Sequence, residues 1–352
     1  MKRIFTYFVE PASYTVDLAL NVHDKIGVDY IYIKNSSLAK SDNNHPLRIS
    51  SLKDMMFFQR IRFIYKVWKK NDLIIVNGYN NYVFIFNLLL NIFFFKKKYI
   101  AIESDSQLNF PKNGLKKIVK YIYLNFVFRN SHILGFAGGS VTHISLFKHY
   151  GMDKSRIFLI PMMINNSKFY VREKKHPDIF TFLYVGRLID SKNVDKLCEC
   201  FLKYFVDKEA RLFIVGDGDN LIMYRKKYMS NKIKFFANKY GSELIEIYHS
   251  SSAFVFPSTV EAWGLVVNEA MSSSLPVISH VNVGAIHDLI INRKTGFVFD
   301  NFDQLGNLMI SLYENPDLLN EYSLNSESIM KNYWNYSLYK QNILNVIKNY
   351  SK

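Results

Sequence analysis

The stretch FLYVGRLIDSKNVDKL, residues 182–197, reads as a buried strand, a turn closed by Gly186, and a helix. Arg187 and Lys192 stand where that helix is expected to begin. A helix N-terminus offers amide donors without internal partners and a partial positive charge, which makes it an anion site. Two cations there favour a diphosphate, each charge-assisted bond contributing roughly 1.5–3 kcal/mol. A solvated basic turn is the plainer alternative. Working outward, the same strand–turn–helix unit recurs in both directions. RIFTYFVE, VDYIYIK, DLIIVNGY, KYIAIESDS and HILGFAGGS read as strands in the first half, with helical stretches at 52–70 and 113–129 between them. After RIFLIPMMIN a polar segment, residues 166–178, reads as an interdomain linker, and a second series runs through ARLFIVGDGD, KIKFFANKY, SAFVFPS, LPVISH and TGFVFD. Alternation of this kind predicts an α/β protein with two doubly wound parallel sheets and a cleft where the strands end.

Length and composition agree. A chain of 352 residues is too long for one ordinary core and suits two α/β domains, and 49% hydrophobic residues can supply both. Expected boundaries are 1–165 and 166–330, with 331–352 forming a helix that packs back toward the first domain. Cys198 and Cys200, two apart, point to different faces of a helix, so reduced thiols are expected rather than a disulfide or a metal site. That fits a cytoplasmic protein, and the nine histidines lack ligand spacing, so no metal is assigned. The opening MKRIFTYFVE has too short an apolar run for a signal peptide. The apolar run from Tyr82 to Phe95 includes Asn87 and Asn91; a membrane span needs roughly 20 residues, so a buried core helix is expected.

Two further stretches carry chemistry. IVGDGD, residues 214–219, is a tight strand–helix turn at Gly216 that lacks the third glycine of a dinucleotide fingerprint. Residues 251–280, SSAFVFPSTVEAWGLVVNEAMSSSLPVISH, hold a buried strand, a Pro-Ser turn, a loop with Glu261, and a helix from about Gly264 that carries Glu269. The two carboxylates are expected to face one pocket at different depths, with the amides of Gly264 and Leu265 between them. Such a site suits a sugar nucleotide: one carboxylate accepts from sugar hydroxyls, the other from ribose, and the amides take phosphate charge. An isolated Glu pair on a solvated helix face would look the same.

Together with YVGRLIDSKN, IVGDG and VGAIHDLIINRKTGFVF (283–299), this stretch resembles glycosyltransferase family 4. The resemblance is specific over about 180–300 and extends to the whole chain in layout. It implies a retaining, nucleotide-sugar-dependent enzyme of GT-B architecture, two Rossmann-like domains facing a cleft. It also implies that Glu261 and Glu269 are the family's E-x7-E pair, the first near the donor sugar and the second on the ribose, and that Arg187 and Lys192 bind the donor pyrophosphate. Four features depart from the family pattern. Trp263 stands where Phe is usual, Ser274 replaces a frequent glycine, VEPASYTVDLAL lacks a glycine-rich loop, and IESDS stands where His-Asp is usual. Glu103 and Asp105 are then candidate acceptor-side carboxylates, with helix capping by Ser104 or Asp105 as the alternative.

Charge is uneven. Residues 1–165 carry 23 Lys/Arg against 10 Asp/Glu, and residues 166–352 carry 22 against 20. An anionic partner is therefore expected for the first half only. On 112–130, Leu115, Ile118, Val119, Ile122 and Phe126 form one helical stripe and Lys116, Lys117 and Lys120 lie on another side; residues 53–70 mix aromatics with Arg60, Arg62, Lys66, Lys69 and Lys70. A core stripe with a solvated basic face is one reading, docking on an anionic membrane the other. Nucleic acid is ranked below both. The expected function is hexose transfer from a UDP-, GDP- or ADP-linked sugar to a saccharide or lipid-linked saccharide, without metal or other cofactor. Its expected place is the cytoplasmic face of the cell membrane, in bacterial lipopolysaccharide O-antigen or capsule synthesis. Catalysis would rest on Glu261, Arg187 and Lys192. A non-catalytic sugar-nucleotide or lipid-binding protein on the same scaffold is the alternative.

Overall fold

The structure, a computed structural model, describes residues 3–36, 50–94, 97–171 and 177–350. The chain divides into two compact units, Met1–Met163 with Tyr336–Lys352, and Ile164–Asn335. The segment 166–178, expected as a linker, lies inside the second unit, and residues 172–176 of it fall outside the described residues.

The first unit runs β1 (Ile4–Phe8), α1 (Ser13–Leu18), a π-helical turn (Ala19–His23), α2 (Asp24–Ile26) and β2 (Asp29–Tyr32). It continues with α3 (Phe57–Lys70), β3 (Leu73–Asn77), α4 (Tyr82–Phe93), β4 (Tyr99–Ser104), α5 (Gly114–Arg129), β5 (Ile133–Ala137), α6 (Thr142–His149) and β6 (Ile157–Leu159). Its strands pair in parallel in the order β2-β1-β3-β4-β5-β6. The central strands read LIIVN and YIAIES because helices cover both faces of a parallel sheet, so alternation gives way to continuous apolar runs. The second unit runs β7 (Phe180–Val185), α7 (Val194–Tyr204), β8 (Ala210–Val215), α8 (Leu221–Tyr228), β9 (Ile233–Phe236), α9 (Gly241–His249) and β10 (Ala253–Phe256). It ends with α10 (Leu265–Ser272), β11 (Val277–His280), α11 (Ile286–Leu289), β12 (Gly296–Phe299), α12 (Phe302–Glu314) and α13 (Pro316–Asn332). The sheet order is β12-β11-β10-β7-β8-β9, again parallel. The last helix, α14 (Tyr336–Tyr350), returns to the first unit. Two doubly wound parallel sheets were expected, and two are present among the described residues.

Each sheet has one point where the winding reverses, between β1 and β3 in the first and between β7 and β10 in the second. The connections leaving such a pair diverge to opposite faces and open a crevice at the carboxyl ends of the strands. Both candidate sites sit at these ends.

Two expectations about helices need correction. The stripe Leu115, Ile118, Val119, Ile122 and Phe126 of α5 is exposed, not core; the buried residues are Leu124, Val127 and Phe128 on the opposite side. Likewise α4 is not buried all round. Val83, Phe84, Asn87, Leu88, Leu90 and Asn91 face inward, while Ile85, Leu89, Ile92 and Phe93 are exposed. Phe95 lies outside the described residues, and no helix among the described residues is long and apolar enough to cross a membrane. Both cysteines are free, Cys198 buried and Cys200 half-buried.

Candidate active site

At the reversal in the second sheet, the loops after β7, β8 and β10 interlock through their backbones. The Leu188 amide donates to the Asp217 carbonyl at 2.8 Å, and the Asn220 amide to the Leu188 carbonyl at 3.0 Å. Gly186 and Gly216 adopt φ of 156° and 148°, a region side chains disfavour. A Cβ on Gly216 would lie 1.9 Å from the Gly186 carbonyl oxygen, so the two turns touch with no room for a methyl group. The Asn193 side chain, on a residue with φ 51°, donates to the Pro257 carbonyl and the Thr259 hydroxyl at 3.1 Å each. It thereby ties the loop after β7 to the loop after β10.

Lys192 and Glu261, far apart in sequence, are joined. The buried Lys192 ammonium contacts a Glu261 carboxylate oxygen, the Ser258 hydroxyl at 3.2 Å and the Val260 carbonyl at 3.3 Å. The helix expected to start at Arg187–Lys192 starts later. Lys192 closes a 3-10 turn, Asp190–Lys192, and α7 begins at Val194. Arg187 is exposed in the turn, its carbonyl accepting from the Tyr184 hydroxyl at 2.9 Å.

Glu261 precedes α10, whose N-cap is Gly264 with φ 96°. A Cβ on Gly264 would press on Phe256, Glu261 and Val283 at 3.1–3.3 Å. The loop is held by backbone bonds from Gly284 to the Glu261 carbonyl and from Ala285 to the Trp263 carbonyl, and by stacking of Trp263 on Trp334 at 5.4 Å. These fix the first amides of α10, including Leu265, which have no acceptor inside the helix. Glu269 is one turn further on and accepts from the Tyr248 hydroxyl at 2.8 Å. Burial pushes its carboxyl up from 4.5 to about 7, the hydrogen bond from Tyr248 holding it back in part. Glu261 and Glu269 therefore have separate partners, one a cation and one a phenol.

The first unit carries a pocket of about 460 Å³ at its own reversal, between the ends of β1, β3 and β4. Glu10, Tyr14, Lys34, Asn81, Glu103 and Asp105 are among its lining residues. Glu103 is buried, accepts from the Asn77 amide at 2.5 Å and from the Tyr339 hydroxyl of α14 at 3.1 Å. Burial raises its carboxyl from 4.5 to about 7 against those two bonds. His23, buried behind Tyr339, is pushed down to about 4 and is neutral at physiological pH. Ser104 and Asp105 cap no helix: the Ser104 hydroxyl accepts from the Ser106 amide at 3.1 Å, and Asn113 caps α5.

Sequence reasoning missed Asn193, Ser258, Tyr248 and Tyr339. Ser258 had a signal, since it follows the buried strand β10 at a carboxyl end. The others reach their partners across separations that no spacing encodes.

Comparison with known proteins bears on the second unit above all. Residues 167–328 match the family model for glycosyl transferases group 1. The chain is 29% identical over 162 residues to the alpha-monoglucosyldiacylglycerol synthase of Acholeplasma laidlawii, covering 44% of this chain and 40% of that protein. It is 31% identical over 148 residues to the capsular polysaccharide biosynthesis glycosyltransferase CapM of Staphylococcus aureus, covering 40% and 38%. The matched region thus spans about two fifths of either relative. In three dimensions the chain is similar to Anabaena Alr3699/HepE, solved in complex with UDP, with a TM-score of 0.76, 15% identity and coverage of 99% and 100%. The fold is GT-B.

Proposed function

We propose that this chain is a retaining glycosyltransferase of family 4. It moves a hexose from a nucleotide diphosphate sugar to a saccharide or lipid-linked saccharide in the synthesis of a bacterial surface polysaccharide such as O-antigen or capsule, at the inner face of the cell membrane. The observation that carries this reading is the pairing of the buried Lys192 with the partly exposed Glu261 beside the N-terminus of α10, at a sheet reversal where the turns at Gly186 and Gly216 are packed backbone on backbone.

The chemistry follows from that arrangement. Bond breaking at the anomeric carbon sends an electron pair to the leaving diphosphate oxygen. Arg187, Lys192 and the amides of Gly264 and Leu265 stabilise that growing charge. The acceptor hydroxyl attacks from the same face, its oxygen bonds to the anomeric carbon, and its proton passes to the leaving phosphate. Glu269 accepts from ribose hydroxyls as a carboxylate. Glu261 accepts from the donor sugar and neutralises Lys192 until a diphosphate arrives. Glu103 and Asp105 orient the acceptor in the first-unit pocket. The protein cations take the place that a metal ion holds in other transferases.

The relatives support this reading, one acting in capsular polysaccharide biosynthesis and one making a glucosylated diacylglycerol by their names. The test is hydrolysis and transfer by purified protein with UDP-, GDP- and ADP-sugars, with the product anomer read by NMR. Arg187→Ala and Lys192→Ala are each expected to slow turnover more than tenfold. No turnover with any donor, alongside tight nucleotide binding, would leave a binding protein instead.

A further inference from the structure

Helices α4 and α5 each bury one face and carry a second apolar face that stays exposed. On α5 the core face holds Leu124, Val127 and Phe128. Helical spacing places Lys117 and Lys120 on that same side, and the Lys120 ammonium turns back to the Asn109 carbonyl at 2.7 Å. Diametrically opposite run Leu115, Ile118, Val119, Ile122 and Phe126, each 58–72% exposed. The stripe is about 16 Å long at 1.5 Å per residue. On α4, Asn91 is buried and bonded to Trp68 and to the backbone of Lys98, while Ile85, Leu89, Ile92 and Phe93 are 41–76% exposed. The two helices follow the adjacent strands β3 and β4 and contribute to one core cluster, so they cover the same face of the sheet. A helix that keeps an apolar face outward after its core face is buried is suited to a medium other than water.

Charge decides what that medium is. Residues 1–165 carry 23 Lys/Arg against 10 Asp/Glu, and Lys97, Lys112 and Lys116, all exposed, lie in sequence just after α4, just before α5 and in the first turn of α5. A second copy of this chain would bring two such cationic faces together. An anionic bilayer offers apolar interior and opposite charge at once. We infer that the outer faces of α4 and α5 enter the interface of an anionic bilayer. Ser106, at the pocket, and Gly114, the first residue of α5, are joined by one short segment. Insertion of α5 therefore holds the pocket with Glu103 and Asp105 close to headgroup level. This deepens the proposed function and rests on it for the meaning of the pocket: the acceptor is presented from the membrane.

The test uses the full chain with vesicles of phosphatidylcholine and phosphatidylglycerol, and with vesicles of phosphatidylcholine alone. Wild type is expected to cosediment with the mixed vesicles, and high salt to weaken that binding without abolishing it. Ile118→Asp with Ile122→Asp, both at exposed positions, is expected to lower partitioning at least tenfold with an unchanged circular dichroism spectrum and unchanged donor hydrolysis in solution. Lys112→Glu with Lys116→Glu is expected to remove only the salt-sensitive part. Wild-type partitioning by the Asp variant overturns the inference, as does failure of wild type to bind the mixed vesicles at low salt. Conversion of a dimer to a monomer by the Asp variant, without vesicle binding by wild type, assigns the stripe to a second copy and overturns it equally. If stripe-dependent partitioning holds while no nucleotide sugar is hydrolysed, docking stands and the transferase reading falls.

Discussion

Where the winding of the second sheet reverses, backbone lies against backbone: Gly216 meets Gly186, Gly218 meets Leu188, and Lys192 is locked to Glu261. At the same place in the first sheet the walls are side chains, Asn77, Glu103, Asp105 and Tyr339, and the nearby helices turn apolar residues to the outside. On the function and docking proposed above, one fold serves two ligand problems. A diphosphate needs amides and cations at fixed positions, which only close-packed turns can hold. A membrane-borne acceptor needs a surface matched to lipid and a pocket that side chains can shape. Substitutions should therefore hurt most where backbone is packed on backbone, and least where the first unit meets open space.

The largest effect is expected at Gly216. A Cβ there would lie 1.9 Å from a carbonyl oxygen at φ 148°, and no side-chain rotation relieves it. Gly216→Ala should cost more than 3 kcal/mol by overpacking with backbone strain, and should abolish donor turnover. Gly114→Ala in the first unit is the counterpart. Nothing lies within 4 Å of its Cβ, and it opens α5. That change should raise stability by up to about 1 kcal/mol through helix propensity. Thermal melts of the two variants check the contrast, and a wild-type melt for Gly216→Ala would break it.

Next comes Glu261. Lys192 retains 6% side-chain exposure and Glu261 24%, so removing the carboxylate strands a buried ammonium. Glu261→Ala should cost about 3 kcal/mol by leaving that charge uncompensated. Turnover should collapse, yet affinity for free nucleoside diphosphate should hold or rise, because Lys192 is released to the phosphates. Asp105→Ala, half-buried in the first-unit pocket, should change stability by no more than about 0.5 kcal/mol. Titration calorimetry separates the two; loss of diphosphate affinity in Glu261→Ala would end the division of roles between Lys192 and its partner.

The second unit was legible because its constraints are local in sequence. A strand that ends in glycine, a basic turn and a Pro-Ser after a buried strand each sit within a few residues of the chemistry they serve. The reversal points, and so the place of both sites, follow from strand order alone. The first unit was misread for a physical reason. Periodicity tells which residues share a helix face, but not which face turns inward. On α5 the stripe Leu115–Phe126 was correctly grouped, and of its two readings, core or membrane-facing, its exposure removes the first. The cue was the spacing from Lys117 and Lys120 to Leu124 and Phe128, and on α4 the asparagines at 87 and 91, which have to bond inside the protein. Glu103 was legible as a candidate, but its bond to Tyr339 spans 236 positions and has no sequence signature.

A third effect should appear alike in both units. Burial raises Glu103 and Glu269 from 4.5 to about 7 each. A raised carboxyl holds its proton in the folded state after the unfolded chain has lost it. Stability from each group is therefore unaffected below pH 4.5 and falls as pH rises toward 7, by about 3 kcal/mol per group at 1.36 kcal/mol per unit. Glu103→Gln and Glu269→Gln should each flatten the slope of stability against pH across that window in urea melts. Only Glu269→Gln should remove the pH dependence of nucleotide affinity, since ribose hydroxyls favour its carboxylate form. Equal effects of the two variants on nucleotide affinity would erase the distinction between the units.

The smallest effect is expected at Ser274, where the second unit departs from the glycine its resemblance implies. Its φ is 57°, left-handed, and its hydroxyl donates to Glu327 at 2.9 Å, tying the end of α10 to α13. The backbone conformation costs a non-glycine residue about 1–2 kcal/mol. The bond to a carboxylate returns about 1 kcal/mol or more, and serine leaves the unfolded chain less entropy to lose than glycine, worth about 0.4–1 kcal/mol. These terms nearly cancel, so Ser274→Gly should shift stability by less than about 1 kcal/mol. Ser274→Val keeps the strain, adds a β-branch and deletes the bond, and should cost about 2 kcal/mol or more by the same terms. If Ser274→Gly instead destabilises as much as Ser274→Val, the Glu327 bond outweighs the backbone, and even this rim of the second unit is held by side chains as the first-unit pocket is.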